Sequence, residues 1–426
     1  MSYGAATNVN MTFTALHRYL GDPPGPLTDA MVDRAVERKL CETDDLDWKS
    51  ELPPAGSIAN SDFPKDVAAM ANSGGGTLVF GVTETQKAAT GRKDAGELSE
   101  RYESALRSAA VTAISPPIFG LEIAQLGNQG QYAVAVMVPA SVDGPHLIYK
   151  NEYFGAPMRN NADTVWMKER QVEAMYRARF DERRRSASAM DQLYSEPHAM
   201  HTPERPAWII EIATPRLPVT AERPSEQVAV RAIEEAGKNA LVYSGRGGIH
   251  PFESIDRFNP RPGLRRWVFR PTVDGERVHS KEAWVSIHHD GSLTLAAAVG
   301  GRRVSTTDYN PNHVVESRDV EFAVADFMGL IRETSERLGI AEYEVRVGIE
   351  WNKSERLEIW TSDNQGHAYA GSSIPLARYT PVEVTVRAEA DAVDFYWQVH
   401  DLAVDCINQG GISNAQVISP PARSDR

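Results

Sequence analysis

Two hydrophobic periods alternate along the first half of the chain. Residues 11–20 carry helical spacing and stop before Gly21 and the Pro23-Pro24-Gly25-Pro26 turn. Met31, Val32, Ala35, Val36 and Leu40 form the apolar face of a second helix, which Thr28 can cap. Over residues 45–51 the period drops to two, with Leu46 and Trp48 on one face and Asp45, Asp47 and Lys49 on the other. Pro53 and Pro54 end that strand. A helix follows, with Ser61 or Asp62 as its cap, Pro64 in its first turn and Val67, Met70 and Ala71 facing inward. Residues 72–76 close it, Gly74 being suited to a left-handed C-cap, and 77–82 read as an apolar central strand. Beyond a polar loop, the pattern predicts a helix over 97–113, a hairpin from 118–126 and 131–138, short strands at 146–149 and 153–159, and a helix over 167–185.

The stretch 186–206 is polar, with scattered prolines and histidines, and reads as a linker. After it, strands are predicted at 208–213, 239–243, 265–271, 343–351, 357–361 and 381–387, with a hairpin over 282–299 turning at Asp290-Gly291. Helices are predicted at 225–236, 318–338 and 391–407. Trp208, Trp267, Trp351, Trp360 and Trp397 are read as core residues. The expected fold is α+β in two domains: a mixed sheet with flanking helices over 29–185, preceded by a helical extension at 1–28, and a second α+β domain at 207–426. The two N-terminal helices also fit a helix-turn-helix, but packing against the following sheet is the simpler reading.

Charge narrows the functional classes. The net charge is −13, and residues 1–204 hold 20 Lys and Arg against 27 Asp and Glu. Such a chain does not coat nucleic acid nonspecifically, so any nucleic-acid contact must use a local patch or metal ions. Cys41 and Cys406 stand far apart and alone, which fits a reducing compartment and excludes a disulfide scaffold. Residues 1–10 lack the basic start and apolar run of a secretory signal, and no stretch reaches the length of a membrane span. A cytoplasmic protein without membrane contact is expected.

Several motifs invite chemistry and lose it on inspection. Gly74-Gly75-Gly76 closes a helix instead of opening one, so it meets the negative helix end and cannot cradle phosphate; close backbone approach is the better reason for it. Gly245-Arg246-Gly247-Gly248 lacks the Lys-Ser/Thr ending of a phosphate loop. His288 and His289 would point to opposite faces of a strand, away from any shared ion. Arg177, Arg183, Arg184 and Arg185 are interleaved with acids and read first as a solvated face, although the triplet could reach phosphate. Glu42, Asp47, Lys49 and Glu84 are different, because helix and strand could bring them together. Converging carboxylates repel unless a cation or proton neutralises them, and such clusters hold Mg²⁺ or Mn²⁺ in phosphodiester-cleaving enzymes.

Glu42, Asp47, Trp48 and Lys49, followed by Lys65, Asn72, Ser73, Gly75, Gly76, Leu78, Phe80, Gly81, Val82 and Glu84, together resemble the Schlafen AlbA-type domain. Gly91 and the segment 153–159 with Thr164 extend the likeness, which covers about 29–180; no family is recognised beyond 205. The resemblance implies a nucleic-acid-processing module. By position it implies a divalent-metal site of Glu42, Asp47 and Glu84 binding Mg²⁺ or Mn²⁺, with Lys49 stabilising phosphate. Lys65, Arg159, Arg177 and Arg183–Arg185 would hold the nucleic-acid backbone. Cleavage of tRNA or other structured RNA, in phage defence or stress, is the activity this implies. A non-catalytic DNA- or RNA-binding regulator, or an interaction module of a defence complex, is the alternative. RNA is favoured over DNA as partner, and the C-terminal domain is assigned sensing or homo-oligomer formation. Asp47 stands where glutamate is usual, and Asn161-Ala162 where Gly-Ser is usual.

Overall fold

The structure, a computed structural model, describes residues 13–150, 153–200, 205–217, 219, 223–272, 282–304, 308–363 and 367–422. The chain divides into two compact units, Met1–Arg183 and Arg184–Arg426.

In the first unit, helices α1 (Ala15–Leu20) and α2 (Asp29–Glu37) precede strand β1 (Leu46–Lys49), helix α3 (Phe63–Ala71) and strand β2 (Gly76–Phe80). Strands β3 (Val82–Thr85) and β4 (Ala88–Arg92) form a hairpin, followed by helix α4 (Glu100–Thr112). Then come β5 (Ile114–Ser115), β6 (Glu122–Leu126), β7 (Ala133–Val138), β8 (Leu147–Lys150), β9 (Tyr153–Gly155), β10 (Pro157–Asn160) and β11 (Asp163–Trp166). The central sheet has the order β1-β2-β7-β6; β1 and β2 are parallel and the other pairs antiparallel. Its two faces carry separate cores. One holds Leu46, Trp48, Val79 and Ala135 under Leu16, Met31, Val32 and Ala35, so α1 and α2 are packing elements. The other holds Leu78, Phe80, Val134 and Val136 against Val67, Met70, Leu106 and Ala110 of α3 and α4. Residues 11–12 of the first predicted helix lie outside the described residues.

The glycine run works by close approach. At Gly75, with φ of 91°, a Cβ would stand 2.8 Å from both Ala140 N and Val138 O, so no larger residue fits where the chain enters β2 beside β7.

Helix α5 (Glu169–Met200) runs on through much of the stretch read as a linker, with Pro197 inside it. The prolines that suggest a linker are Pro197, Pro203 and Pro206, and 186–196 hold none, so helical hydrogen bonding continues through them.

The second unit is built on β12 (Trp208–Pro215), α6 (Glu226–Ser244), β13 (Arg261–Gly263), β14 (Arg266–Phe269), β15 (Ala283–His288) and β16 (Leu293–Ala298). It continues with β17 (Val314–Glu316), α7 (Ser317–Leu338), β18 (Glu342–Glu350), β19 (Glu358–Ser362), β20 (Ala368–Tyr369), β21 (Val382–Arg387) and α8 (Ala392–Asn408). An antiparallel sheet of order β13-β14-β15-β16-β12-β18-β21 packs one face on α6, α7 and α8. Residues 239–243, expected as a strand, end α6 instead. Ala229, Ala232, Ile233, Ala236 and Ala240 keep helical spacing through the segment, and that period outweighs its local Leu-Val-Tyr composition. The 282–299 hairpin turns at Asp290-Gly291 as expected, with His288 the last residue of β15 and His289 in the turn.

Candidate functional site

Strand alternation creates the site. Leu46 and Trp48 enter the core beneath α1 and α2, which sends Asp47 and Lys49 to the opposite face of β1. There Asp47 is only 2% exposed. Its Oδ1 accepts a hydrogen bond of 3.0 Å from Nη1 of Arg159, and its Oδ2 lies 2.7 Å from the ammonium of Lys49. Lys49 also stands 3.3 Å from Asp66 of α3.

Arg159, on β10, is buried with it. Its Nη2 donates to the carbonyl of Thr43 at 3.0 Å, and Nη1 also donates to the hydroxyl of Thr164 at 3.3 Å. The backbone that delivers Arg159 is held by the residues after α3. Ser73 Oγ accepts from Arg159 N–H at 2.8 Å. Asn72 donates to the carbonyls of His146 and Pro157 at 2.9 and 2.8 Å, and accepts from His146 N–H at 2.7 Å. An asparagine can bridge in this way because it carries donor and acceptor on one planar group.

Glu42 is the second buried acid. Its Oε1 accepts from Trp48 N–H at 3.2 Å, and its Oε2 stands 3.2 Å from Lys87 Nζ. Glu42 N–H donates to Lys87 carbonyl at 2.7 Å, so the same lysine is fixed by backbone and charge. Burial raises the Glu42 carboxyl above its usual range and the charge of Asp47 raises it further, against the opposing pull of Trp48 N–H and Lys87. Burial likewise raises Asp66, with Lys49 opposing. For Lys49, burial works against the charge, but Asp66 and Asp47 outweigh it and hold the ammonium above its usual value.

Glu42, Asp47 and Lys49 therefore meet as the sequence suggests, joined by Asp66, Lys87 and Arg159. Glu84 is exposed on the β3–β4 hairpin, where the register shifts between Thr83 and Glu84. Among the described residues, no group of three or more His, Cys, Asp or Glu side chains is arranged to hold a metal ion. The donor set also does not fit Mg²⁺ or Mn²⁺. Oδ1 of Asp47 faces a guanidinium and Oδ2 an ammonium, while the free side of Glu42 faces Lys87. A divalent ion would have to displace those cations or repel them.

The residues expected to grip a nucleic-acid backbone are also largely engaged. Arg159 is internal to the network. Lys65 pairs with Asp62 at 2.8 Å, and Arg177 with Glu173 at 2.6 Å on the same helix. Arg183 stands 3.7 Å from Asp143. Arg184 and Arg185 are exposed residues of α5. Sequence reasoning missed Asp66 and Lys87. Asp66 precedes Met70 by four residues and so shares the inward face of α3, which is a readable signal. Lys87, at a positive φ in the β3–β4 turn, offered none.

An α+β domain with a parallel β1–β2 pair, a polar clasp on one sheet face and two packing helices on the other defines the N-terminal unit. Residues 42–168 match the family model described as Schlafen, AlbA_2, so the N-terminal part of this chain is a Schlafen AlbA-type domain, followed by a further C-terminal α+β domain. That match points to a nucleic-acid-related role for residues 42–168. Among solved structures, the chain is similar to the DIP2311 protein from Corynebacterium diphtheriae, at 19% identity and a TM-score of 0.23, covering 32% of this chain and 24% of that one. It is also similar to the N-terminal domain of a putative ATP-dependent DNA helicase RecG-related protein from Nitrosomonas europaea, at 18% identity and a TM-score of 0.24, covering 32% of this chain and 89% of that one. No curated protein matches. Among the described residues, no helix is long and apolar enough to cross a membrane.

Proposed function

We propose that residues 42–168 form a nucleic-acid-binding module in which Glu42 and Asp47 are structural, clasping β1 to the β3–β4 and β10–β11 hairpins. The observation that supports this reading is the double capture of Asp47, by Arg159 at 3.0 Å and Lys49 at 2.7 Å. A buried carboxylate so paired orders its neighbours strongly, since loss of one partner strands the other's charge. The nucleic-acid class comes from the family match.

The test is an incubation of the full chain with labelled tRNA, with and without Mn²⁺, read by gel for cleavage and by anisotropy for binding. Binding that weakens with salt, together with cleavage no greater with Mn²⁺ than without, is the expected result. Mn²⁺-dependent cleavage that Glu42→Ala and Asp47→Ala abolish would restore the metal-dependent endoribonuclease and overturn the structural reading. Because Asp47→Ala can unfold the domain, Asp47→Asn is run beside it. It keeps the shape and a hydrogen bond but removes the charge a metal needs.

A further inference from the structure

One short stretch of the second unit reverses the charge of the chain. Residues 257–270 hold five arginines, at 257, 261, 265, 266 and 270, with no Asp, Glu or Lys among them, in a protein of net charge −13. The fold gathers them, because this stretch is the β13–β14 hairpin and the loop that leads into it. Arg261 pairs with Val268 and Gly263 with Arg266, which leaves Leu264 and Arg265 as the turn. Val268 has Arg266 two residues before it and Arg270 two residues after, so these positions surround Arg261 on the ladder. The turn is tied to the sheet, where His289 N–H donates to the Arg265 carbonyl at 2.9 Å, and Asp256 N–H donates to the Arg270 carbonyl at 2.8 Å. Strand β13 is an edge of the seven-stranded sheet.

Two of the five arginines are engaged. Arg257 donates from Nε to the carbonyl of Phe252 at 2.6 Å, and Arg266 pairs with Glu196 of α5. Arg261, Arg265 and Arg270 are exposed, and among the described residues none of the three has an ion-pair partner. Asp256, the acid before this stretch, accepts from Phe258 N–H and Asn259 Nδ2 and so serves its own loop. Lys39, Arg101, Arg231 and Arg356 are also exposed without such a partner, but each lies within three residues of an acid, which the hairpin arginines do not. Like charges so grouped repel, and a bound anion removes that cost. Edge protection accounts for Arg261 and Pro262, since charge and proline on an edge strand block pairing with another sheet. It does not account for Arg265, in the turn, or Arg270, beyond β14. The guanidinium fork can give two parallel N–H donors to one phosphate group.

We infer that Arg261, Arg265 and Arg270 form a phosphate-gripping edge that takes the backbone of a nucleic acid without reading its bases. The inference rests on the nucleic-acid-binding reading above, which supplies the phosphate polymer, and adds to it a contact outside residues 42–168.

The test measures anisotropy of labelled oligonucleotides of two unrelated sequences with the full chain, over a salt series. Arg261→Gln/Arg265→Gln/Arg270→Gln is expected to weaken binding of both sequences alike and to lower the salt slope by about 2–3. Arg261→Lys/Arg265→Lys/Arg270→Lys keeps the charges and should keep the slope while binding less tightly, because a point charge replaces the fork. Lys39→Gln/Arg101→Gln/Arg231→Gln removes the same charge elsewhere and should leave the slope within about 1 of wild type. All six positions are exposed, so an unchanged thermal midpoint verifies that each variant is folded. If the wild type binds but Arg261→Gln/Arg265→Gln/Arg270→Gln binds as well, with the same slope, the hairpin is overturned and the binding module stands. An equal fall in slope with the scattered variant would trace the effect to net charge and overturn it too. If the wild type binds no nucleic acid at low salt, the module itself fails and the hairpin with it. Sedimentation with phosphatidylserine vesicles that Arg261→Gln/Arg265→Gln/Arg270→Gln abolishes, with oligonucleotide affinity unchanged, would assign the edge to an anionic membrane and likewise overturn the proposal.

Discussion

Asp47 in the N-terminal unit and Glu211 in the C-terminal unit are equally hidden, at 2% and 0% exposure, and yet they are held in opposite ways. Asp47 meets an arginine and a lysine. Glu211 sits mid-strand on β12, and among the described residues neither of its carboxyl oxygens has a hydrogen-bond partner. Burial pushes its carboxyl well above the usual range, and nearby Asp326 adds to the effect, so the site favours a neutral Glu211 where Asp47 is part of an ion pair. Of the other buried acids of the second unit, Asp319 pairs with Arg302 and Glu333 with Arg337, while two find partners that are not fixed cations. Asp326 stands 2.6 Å from His250 Nδ1 and accepts from Phe252 N–H, and Glu321 accepts from the backbone N–H groups of Gln416, Val417 and Ile418. Cation-paired buried acids of the first unit join distant strands and hairpins, whereas the lone acid of the second unit only makes its core harder to form.

The contrast breaks first at Arg159. Arg159→Ala would leave Asp47 buried with half its neutralisation and would also release Thr43, Thr164 and the β10–β11 hairpin. A loss of about 3–5 kcal/mol is expected, read as a large drop in thermal midpoint. A drop under about 1 kcal/mol, the scale of a surface pair, would mean that the clasp is incidental. The opposite sign is expected at Glu211. Its folded-state carboxyl titrates above its unfolded value, so the folded state holds a proton that the unfolded state releases first. Stability is therefore greatest below the ordinary carboxylate range and falls as pH rises beyond it, by about 1.4 kcal/mol per pH unit for one proton. Glu211→Gln imitates the neutral acid and should remove that slope, making the variant the more stable protein at neutral pH. Urea melts of both proteins between pH 5 and 7 decide it, and parallel pH dependences would sink the idea.

How much of this was legible in sequence differs between the two regions. The period-two alternation through Leu46, Asp47, Trp48 and Lys49 gave the right faces, because a strand buried on one side leaves no other register. The place of Gly74–Gly76 after a helix points to close packing, which holds at Gly75 and Gly76, while Gly74 has open space around it. The partners of the acids were not legible. Asp47 and Arg159 lie 112 residues apart, and nothing local to β10 marks its arginine as internal. The same segment reads equally well as a basic strand facing solvent. Nor did periodicity expose the aromatic rings of β8, β9 and β11, since Tyr149, Phe154 and Trp166 have the composition of buried strand residues and only the fold leaves them outside. In the second unit, the run at 239–243 looked like a strand because its residues suit strands locally, while the alanine spacing of α6 extended through it.

Lys87 supplies the finest test, because it copies the charge of Arg159 without its burial. Its ammonium stands 3.2 Å from Glu42 and 3.6 Å from Asp163, but its side chain is 46% exposed, against 2% for Arg159. Water screens such a lysine, and its backbone carbonyl, which accepts from Glu42 N–H, survives any substitution. Lys87→Ala should therefore cost no more than about 1 kcal/mol, with the loss shrinking as salt is added. Glu42 should respond more than the global fold does. Its carboxyl is already raised by burial and by Asp47, and loss of an opposing cation raises it further, so that its protonation moves toward neutral pH. A pH titration of Glu42 by carbon NMR in wild type and Lys87→Ala separates these effects. An upward shift with little change in thermal midpoint fits a screened pair at the rim of the clasp. A midpoint drop as large as that of Arg159→Ala would show that burial is not what distinguishes the two cations.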